Sequence, residues 1–187
     1  KIIMDRIPPT DGRIAINNGA PWLSDKKGEC DVQLYANGAN EVMLSNSANF
    51  VNAEWEPMTK VRTGWKCNID NPMATVYAKF RDKAGNISEP IQSSVKIDIT
   101  PPENTSISID NGAKYVTNQD KSITIALSAN NAAKMRISQH KILNDLAWEP
   151  YAVSKTISLK NEEDGEKTFY AQFSDEAGNS SNIINAK

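Results

Sequence analysis

The sequence predicts an all-β protein made of two tandem β-sandwich domains of about seven strands each, in an elongated arrangement. Three observations lead there. The first is a repeat at one fixed offset of 93 positions. Pro8-Pro9 returns as Pro101-Pro102, Ile16-Asn17-Asn18-Gly19-Ala20 as Ile109-Asp110-Asn111-Gly112-Ala113, Trp55-Glu56-Pro57 as Trp148-Glu149-Pro150, and Ala84-Gly85-Asn86 as Ala177-Gly178-Asn179. Roughly three positions in ten are identical at that shift, and most others stay within a class, as Val42 with Met135 or Phe50 with Leu143. The second is a series of short runs with alternating or β-branched apolar residues between turn residues, and no amphipathic run long enough for a helix. The third is the joint, where two prolines fix φ and favour an extended, semi-rigid connection.

Taken in order, strands are expected near 13–17, 29–36, 41–46, 53–56, 61–67, 74–81 and 91–98, with equivalents 93 positions later. Cys30-Asp31-Val32-Gln33-Leu34-Tyr35-Ala36 and Ser122-Ile123-Thr124-Ile125-Ala126-Leu127 carry the alternation. Gly19-Ala20, Gly38, Gly85 and Asn86 mark turns, with Gly85 and Gly178 suited to a positive φ. The domains are therefore placed at 1–98 and 99–187, each of a size that supports its own core.

Composition bounds the function. With 187 residues, 39% hydrophobic and 24% charged, the chain has the make-up of a soluble globular protein. Lysine and arginine total 21 against 23 acidic residues, so no basic excess exists to neutralise a phosphate backbone, and nucleic acid is not expected as a partner. No run approaches the roughly 20 apolar residues of a membrane span, so direct membrane insertion is not expected. The chain starts at Lys1, and the spacing would put the next junction aspartate just past Lys187. It therefore reads as part of a longer array whose leader and anchor lie elsewhere, with flanking domains of the same polypeptide as its first partners.

Asp98-Ile99-Thr100-Pro101-Pro102 at the opening of a module, Trp148-Glu149-Pro150-Tyr151 in its middle and Phe173-Ser174-Asp175-Glu176-Ala177-Gly178-Asn179 near its end resemble the immunoglobulin-like repeats of bacterial surface and secreted proteins. The resemblance spans nearly the whole chain. The first copy departs from it with Arg6-Ile7 for Ile99-Thr100 and Met58 for Tyr151. It implies an extracellular or cell-surface location and a role as spacer, adhesin segment or accessory module of a carbohydrate-active enzyme. Fold alone does not choose among these.

Four sets of residues could carry chemistry. Cys30 and Cys67 fall on strands that a seven-strand sandwich makes antiparallel neighbours, which allows a disulfide and fits an oxidising compartment; the plain alternative is two small buried hydrophobes, as Ile123 and Leu159 are in the second copy. Asp82 and Asp175 precede Ala-Gly-Asn, where a carboxylate can accept hydrogen bonds from turn amides; alternatively, Asp82, Asn86 and Asp98 supply hard oxygen ligands to a calcium ion at the interdomain joint. No other cofactor is expected. Trp55 and Trp148 recur and read as packing residues, as does Trp22 with its counterpart Tyr115, whereas Trp65 has no counterpart. Exposed indoles at Trp22 and Trp65 would stack on sugar rings, with glycan or a surface protein as partner. Finally, His140 is the only histidine, its counterpart is Ser47, and no Gly-x-Ser-x-Gly elbow or base-paired nucleophile accompanies it, so no enzyme is expected. Two readings stay open at this point, a structural spacer or stalk and a carbohydrate-binding or adhesive module.

Overall fold

A computed structural model of the protein describes residues 4–116, 121–160 and 162–187. The chain divides into two compact units, Lys1–Ile99 and Thr100–Lys187.

Unit 1 contains β1 (Thr10–Ile16), β2 (Trp22–Leu23), β3 (Glu29–Asn37), β4 (Glu41–Ser45), β5 (Trp55–Pro57), β6 (Val61–Lys66), β7 (Met73–Arg81) and β8 (Ile91–Ile97). They form a three-stranded sheet, β1-β3-β6, and a five-stranded sheet, β2-β8-β7-β4-β5. All pairings are antiparallel except β2 with β8, where Trp22 lies opposite Lys96 and Leu23 opposite Ile97. The period-2 pattern decides which face is inward. On β3, Cys30, Val32 and Leu34 are buried while Glu29, Asp31 and Tyr35 are exposed. On β7, Ala74, Val76, Ala78 and Phe80 are buried. The inner faces of both sheets meet in one core that also takes Ile16, Leu23, Val42, Leu44, Cys67 and Val95.

Unit 2 contains β9 (Glu103–Ile109), β10 (Ser122–Asn130), β11 (Lys134–Ser138), β12 (Glu149–Pro150), β13 (Ser154–Ser158), β14 (Phe169–Ser174) and β15 (Ile184–Ala186). Its sheets are β13-β10-β9 and β12-β11-β14-β15. The core repeats that of unit 1 position by position: Ile123, Ile125 and Leu127 on β10, Met135 on β11, Phe169, Ala171 and Phe173 on β14. In each unit the short strand β5 or β12 joins the sheet of β4 or β11, whereas in constant-type immunoglobulin domains the fourth strand joins the other sheet, that of the first, second and fifth strands.

Two devices are built twice. Asn17 and Asp110 take a positive φ just after β1 and β9, and each side-chain Oδ1 accepts the backbone N–H of the facing strand, from Asp31 at 2.8 Å and Thr124 at 2.6 Å. After β7 and β14, Asp82 and Asp175 close a tight turn whose Gly85 and Gly178 stand at φ of 90° and 92°, a left-handed conformation that only glycine adopts freely. Two residues on from each asparagine, Ser88 and Ser181 accept the Phe80 and Phe173 N–H at 3.0 Å.

One strand is an addition to the sequence reading. β2 is two residues long, and nothing in its local pattern separates it from the turn before β3.

Candidate functional site

The cysteines come together. β3 and β6 pair antiparallel with Cys30 opposite Trp65, and Cys67 follows β6 with its N–H on the Gly28 carbonyl at 2.9 Å. The backbones pass so closely that a Cβ on Gly28 would stand 2.7 Å from the Cys67 carbonyl oxygen. Both thiols are buried, with Sγ atoms 2.8 Å apart. The hydrogen bond they share and their burial raise the pKa of the pair's protonated sulfur, Cys30. In unit 2 the same place holds buried Ile123 and Leu159, with the Leu159 N–H on the Lys121 carbonyl.

The aspartates are turned onto their own turns. Asp82 accepts the Asn86 backbone N–H on Oδ1 and the Asn86 side-chain amide on Oδ2, both at 2.8 Å. Asp175 does the same with Asn179 at 2.8 and 2.9 Å. The side-chain amide of Asn86 is the main cause of a lowered Asp82 pKa, with the turn amides adding to it. The expected calcium trio is corrected here. β7 and β8 run antiparallel with Ala78 opposite Ile91 and Met73 opposite Lys96, so Asp82 and Asn86 lie at one end of the hairpin and Asp98 at the other. At about 3.3 Å per residue Asp82 and Asp98 are about 36 Å apart along the hairpin and cannot share an ion. Asp98 instead gives its N–H to the Leu23 carbonyl at 3.1 Å. Among the described residues no group of three or more His, Cys, Asp and Glu side chains is placed to hold a metal ion.

Every tryptophan lies under a cation. Lys96 Nζ stands 5.2 Å from the Trp22 ring centroid, Arg81 Cζ 4.4 Å from that of Trp55, Arg62 Cζ 6.0 Å from that of Trp65 and Arg136 Cζ 4.3 Å from that of Trp148. Trp65 is half-buried against the core, its indole N–H bonded to Asn46 Oδ1 at 2.9 Å. With Asn46, Arg62, Gly64 and Lys66 it lines a shallow cleft of about 260 Å³. Trp22 is half-buried on β2, three strand spacings from β4 and the Asn46 that follows it, a separation of roughly 14 Å. The two indoles therefore form two sites and not one platform.

Sequence reasoning singled out Trp65 by its missing counterpart but gave no sign of Asn46 or Arg62 as its neighbours. It also missed Arg136. This guanidinium is 8% exposed, held by Gln172 Oε1 at 2.6 and 3.0 Å and Asn144 Oδ1 at 3.3 Å. His140 is exposed in the loop after β11, its N–H on Ser138 Oγ at 2.9 Å.

No protein-family model matches the sequence. No curated protein matches it either. Among solved structures the chain is similar to the fibronectin(III)-like modules of Clostridium thermocellum CbhA, at 10% identity and a TM-score of 0.52, over 92% of this chain and 91% of that one. A weaker likeness, with a TM-score of 0.36 and 16% identity, joins 96% of this chain to 29% of the chitinase ChiA74 from Bacillus thuringiensis. The CbhA likeness agrees with the fold described above, a tandem of β-sandwich domains. No helix among the described residues is long and apolar enough to cross a membrane.

Proposed function

We propose that this chain is a non-catalytic immunoglobulin-like tandem that serves as a spacer or stalk within a larger bacterial secreted or cell-surface protein. One observation carries the reading: the polar and aromatic side chains that recur between the copies are engaged inside their own unit. Asp82 and Asp175 hold Asn86 and Asn179, Asn17 and Asp110 hold the facing strand, and Trp55 and Trp148 lie under arginines. A repeat that keeps such residues keeps the fold. The adjacent thiols Cys30 and Cys67 agree with an oxidising, extracellular setting. The fibronectin(III)-like modules of CbhA are a precedent, by analogy of fold, for such modules within a larger bacterial protein.

The second reading is a glycan-binding module, favoured by the Trp65 cleft, which only unit 1 has among the described residues. Retention of the tandem on a panel of bacterial, plant and host polysaccharides, with calcium and with chelator, separates the two. The spacer reading expects no retention in either condition. Retention that is lost in Trp65→Ala, with the variant still folded by circular dichroism, overturns it in favour of binding at the cleft.

A further inference from the structure

The chain enters unit 1 at one end of its sandwich and leaves it at the other. A Cβ on Gly12, near the start of β1, would stand 3.2 Å from the Phe80 ring and 3.5 Å from Ile91, so the entering segment lies where β7 ends and β8 begins. Along the β7–β8 pair Ala78 is opposite Ile91 and Met73 opposite Lys96, so the chain leaves, after Ile97, at the far end. The seven residues of β8 put about 20 Å between those ends. β1 is hydrogen-bonded into the three-stranded sheet and β8 into the five-stranded one, and the two sheets meet through apolar side chains. Tension between the ends therefore draws the sheets past each other, and the core by itself opposes that slide only with non-directional contacts.

β2 changes this. A few residues after β1 the chain crosses to the five-stranded sheet, where Trp22 and Leu23 lie parallel to Lys96 and Ile97 and the Leu23 carbonyl accepts the Asp98 N–H at 3.1 Å. We infer that this pairing is a force-bearing lock, which ties the entering segment by main-chain hydrogen bonds to the strand on which the chain leaves. Because β2 and β8 are parallel and are drawn in opposite senses along their lengths, the bonds that lie across them are loaded together, in shear, and do not peel one after another. Side chains seat the lock on both strands. Leu23 and Val95 are 1% and 3% exposed in the core, and Lys96 Nζ stands over the Trp22 ring. On its other side β8 is held at the same level by the Ile97 N–H on the Pro72 carbonyl at 2.9 Å. The inference rests on the spacer reading, since a stalk transmits the pull between whatever its ends are joined to. Retention on a polysaccharide would overturn that reading and leave the response of unit 1 to tension as it is, so the two fail separately.

Single-molecule stretching of the whole 187-residue chain, in reductant and through peptide tags at its two ends, tests this. Ten glycines inserted after Gly38, where a side chain would meet nothing within 4 Å, mark unit 1 by lengthening its unfolding step by about 35 Å. Asp98→Pro removes the N–H that Leu23 accepts; the force at which unit 1 unfolds should drop, and that of unit 2 should not change. Asp98→Ala keeps the N–H and should unfold near the wild-type force. Val42→Ala separates the lock from overall stability, since β4 pairs with neither β1, β2 nor β8 and Val42 is fully buried. Forced unfolding reads the barrier and not the equilibrium, so at an equal loss of melting temperature Val42→Ala should lower the force less than Asp98→Pro does. Leu23→Ala, which unseats β2 with the backbone intact, should behave like Asp98→Pro and decides the matter if the proline prevents folding. The inference is overturned if Asp98→Pro leaves the force of unit 1 unchanged, or if Asp98→Ala lowers it as much. It is also overturned if the force follows the melting temperature alike in Leu23→Ala and Val42→Ala.

Discussion

The two thiols of unit 1 provide a prediction whose size follows from their position. Cys30 and Cys67 are 37 residues apart in sequence with Sγ atoms at 2.8 Å, about 0.8 Å beyond a bonded S–S distance. Oxidation therefore needs only a small closing movement between strands already held in register. The link removes loop-closure entropy from the unfolded chain; in the chain-entropy treatment a loop of this length is worth about 4 kcal/mol. A domain of 60–100 residues shifts its melting temperature by about 4–8 °C per kcal/mol, so reduction should lower that of unit 1 by roughly 15–30 °C. The assay is scanning calorimetry of the oxidised tandem with and without reductant, with thiols counted in denaturant because both groups are buried. Unit 2, with Ile123 and Leu159 in the same place, has no reducible group. The expected result is no free thiol before reduction, two after it, and a lowered transition that Cys30→Ala with Cys67→Ala reproduces. Two free thiols in protein made under oxidising conditions, or a transition indifferent to reductant, would refute the reasoning.

Three other outcomes are expected. Acid should destabilise unit 1 through Asp82 and Asp25, whose carboxylates are held below the ordinary value of 3.8 chiefly by the Asn86 side-chain amide and by the Glu29 and Lys27 N–H groups respectively. Because the folded values lie below the unfolded ones, this stability is complete above pH of about 4–5 and is lost as pH falls through the folded values. Asp82→Asn should lower the melting temperature at neutral pH and flatten its acid dependence, read by thermal melts from pH 2 to 7. Arg136→Ala should cost unit 2 about 1–3 kcal/mol in denaturant unfolding, since it removes a buried guanidinium from the half-buried Gln172 amide oxygen and uncovers Trp148. Arg136→Lys should recover only part, because an ammonium cannot reproduce the planar fork. Leu23→Ala should destabilise unit 1 by about 2–5 kcal/mol in the same measurement.

The strands were legible because their signal is local: on β3 and β7 the inward residues alternate without a break, and the repeat supplies a second reading of each. Cys30 beside Cys67 was legible for the same reason, as strand order alone makes β3 and β6 neighbours. What escaped depends on partners far along the chain. β2 exists through its pairing with Lys96 and Ile97, more than seventy positions later, and its copy Tyr115–Val116 does not form it, so the repeat gave no support. The arginine over the recurring tryptophan was hidden in another way. Arg81 comes from β7 and Arg136 from β11; their repeat equivalents are Ser174 and Met43. The contact is kept while the residue that makes it moves to another strand. The calcium trio failed on direction, since Asp82 and Asp98 are close in sequence but the intervening β8 carries the chain back along the whole length of the hairpin.

That shift of the arginine bears on the choice between spacer and binder. A ligand site duplicated in tandem would keep the identity of the side chains that meet the ligand, because a ligand is recognised by particular groups at particular positions. Here the opposite holds for the tryptophan that recurs unchanged, Trp55 and Trp148. The indole is constant and its covering cation is supplied from two different strands, which is tolerable only if the requirement is to cover the ring and not to present it. Stabilising devices also differ between the copies: the sulfur pair lies in unit 1, and the buried Arg136 with its two amide oxygens in unit 2. Each sandwich thus meets the same demand for stability by its own means, as expected where the selected property is an intact module. The Trp65 cleft is the exception, present in one copy with an indole, an amide and two cations around it. A glycan-binding role for the tryptophans is therefore argued from unit 1, and Trp65→Ala is the substitution that tests it.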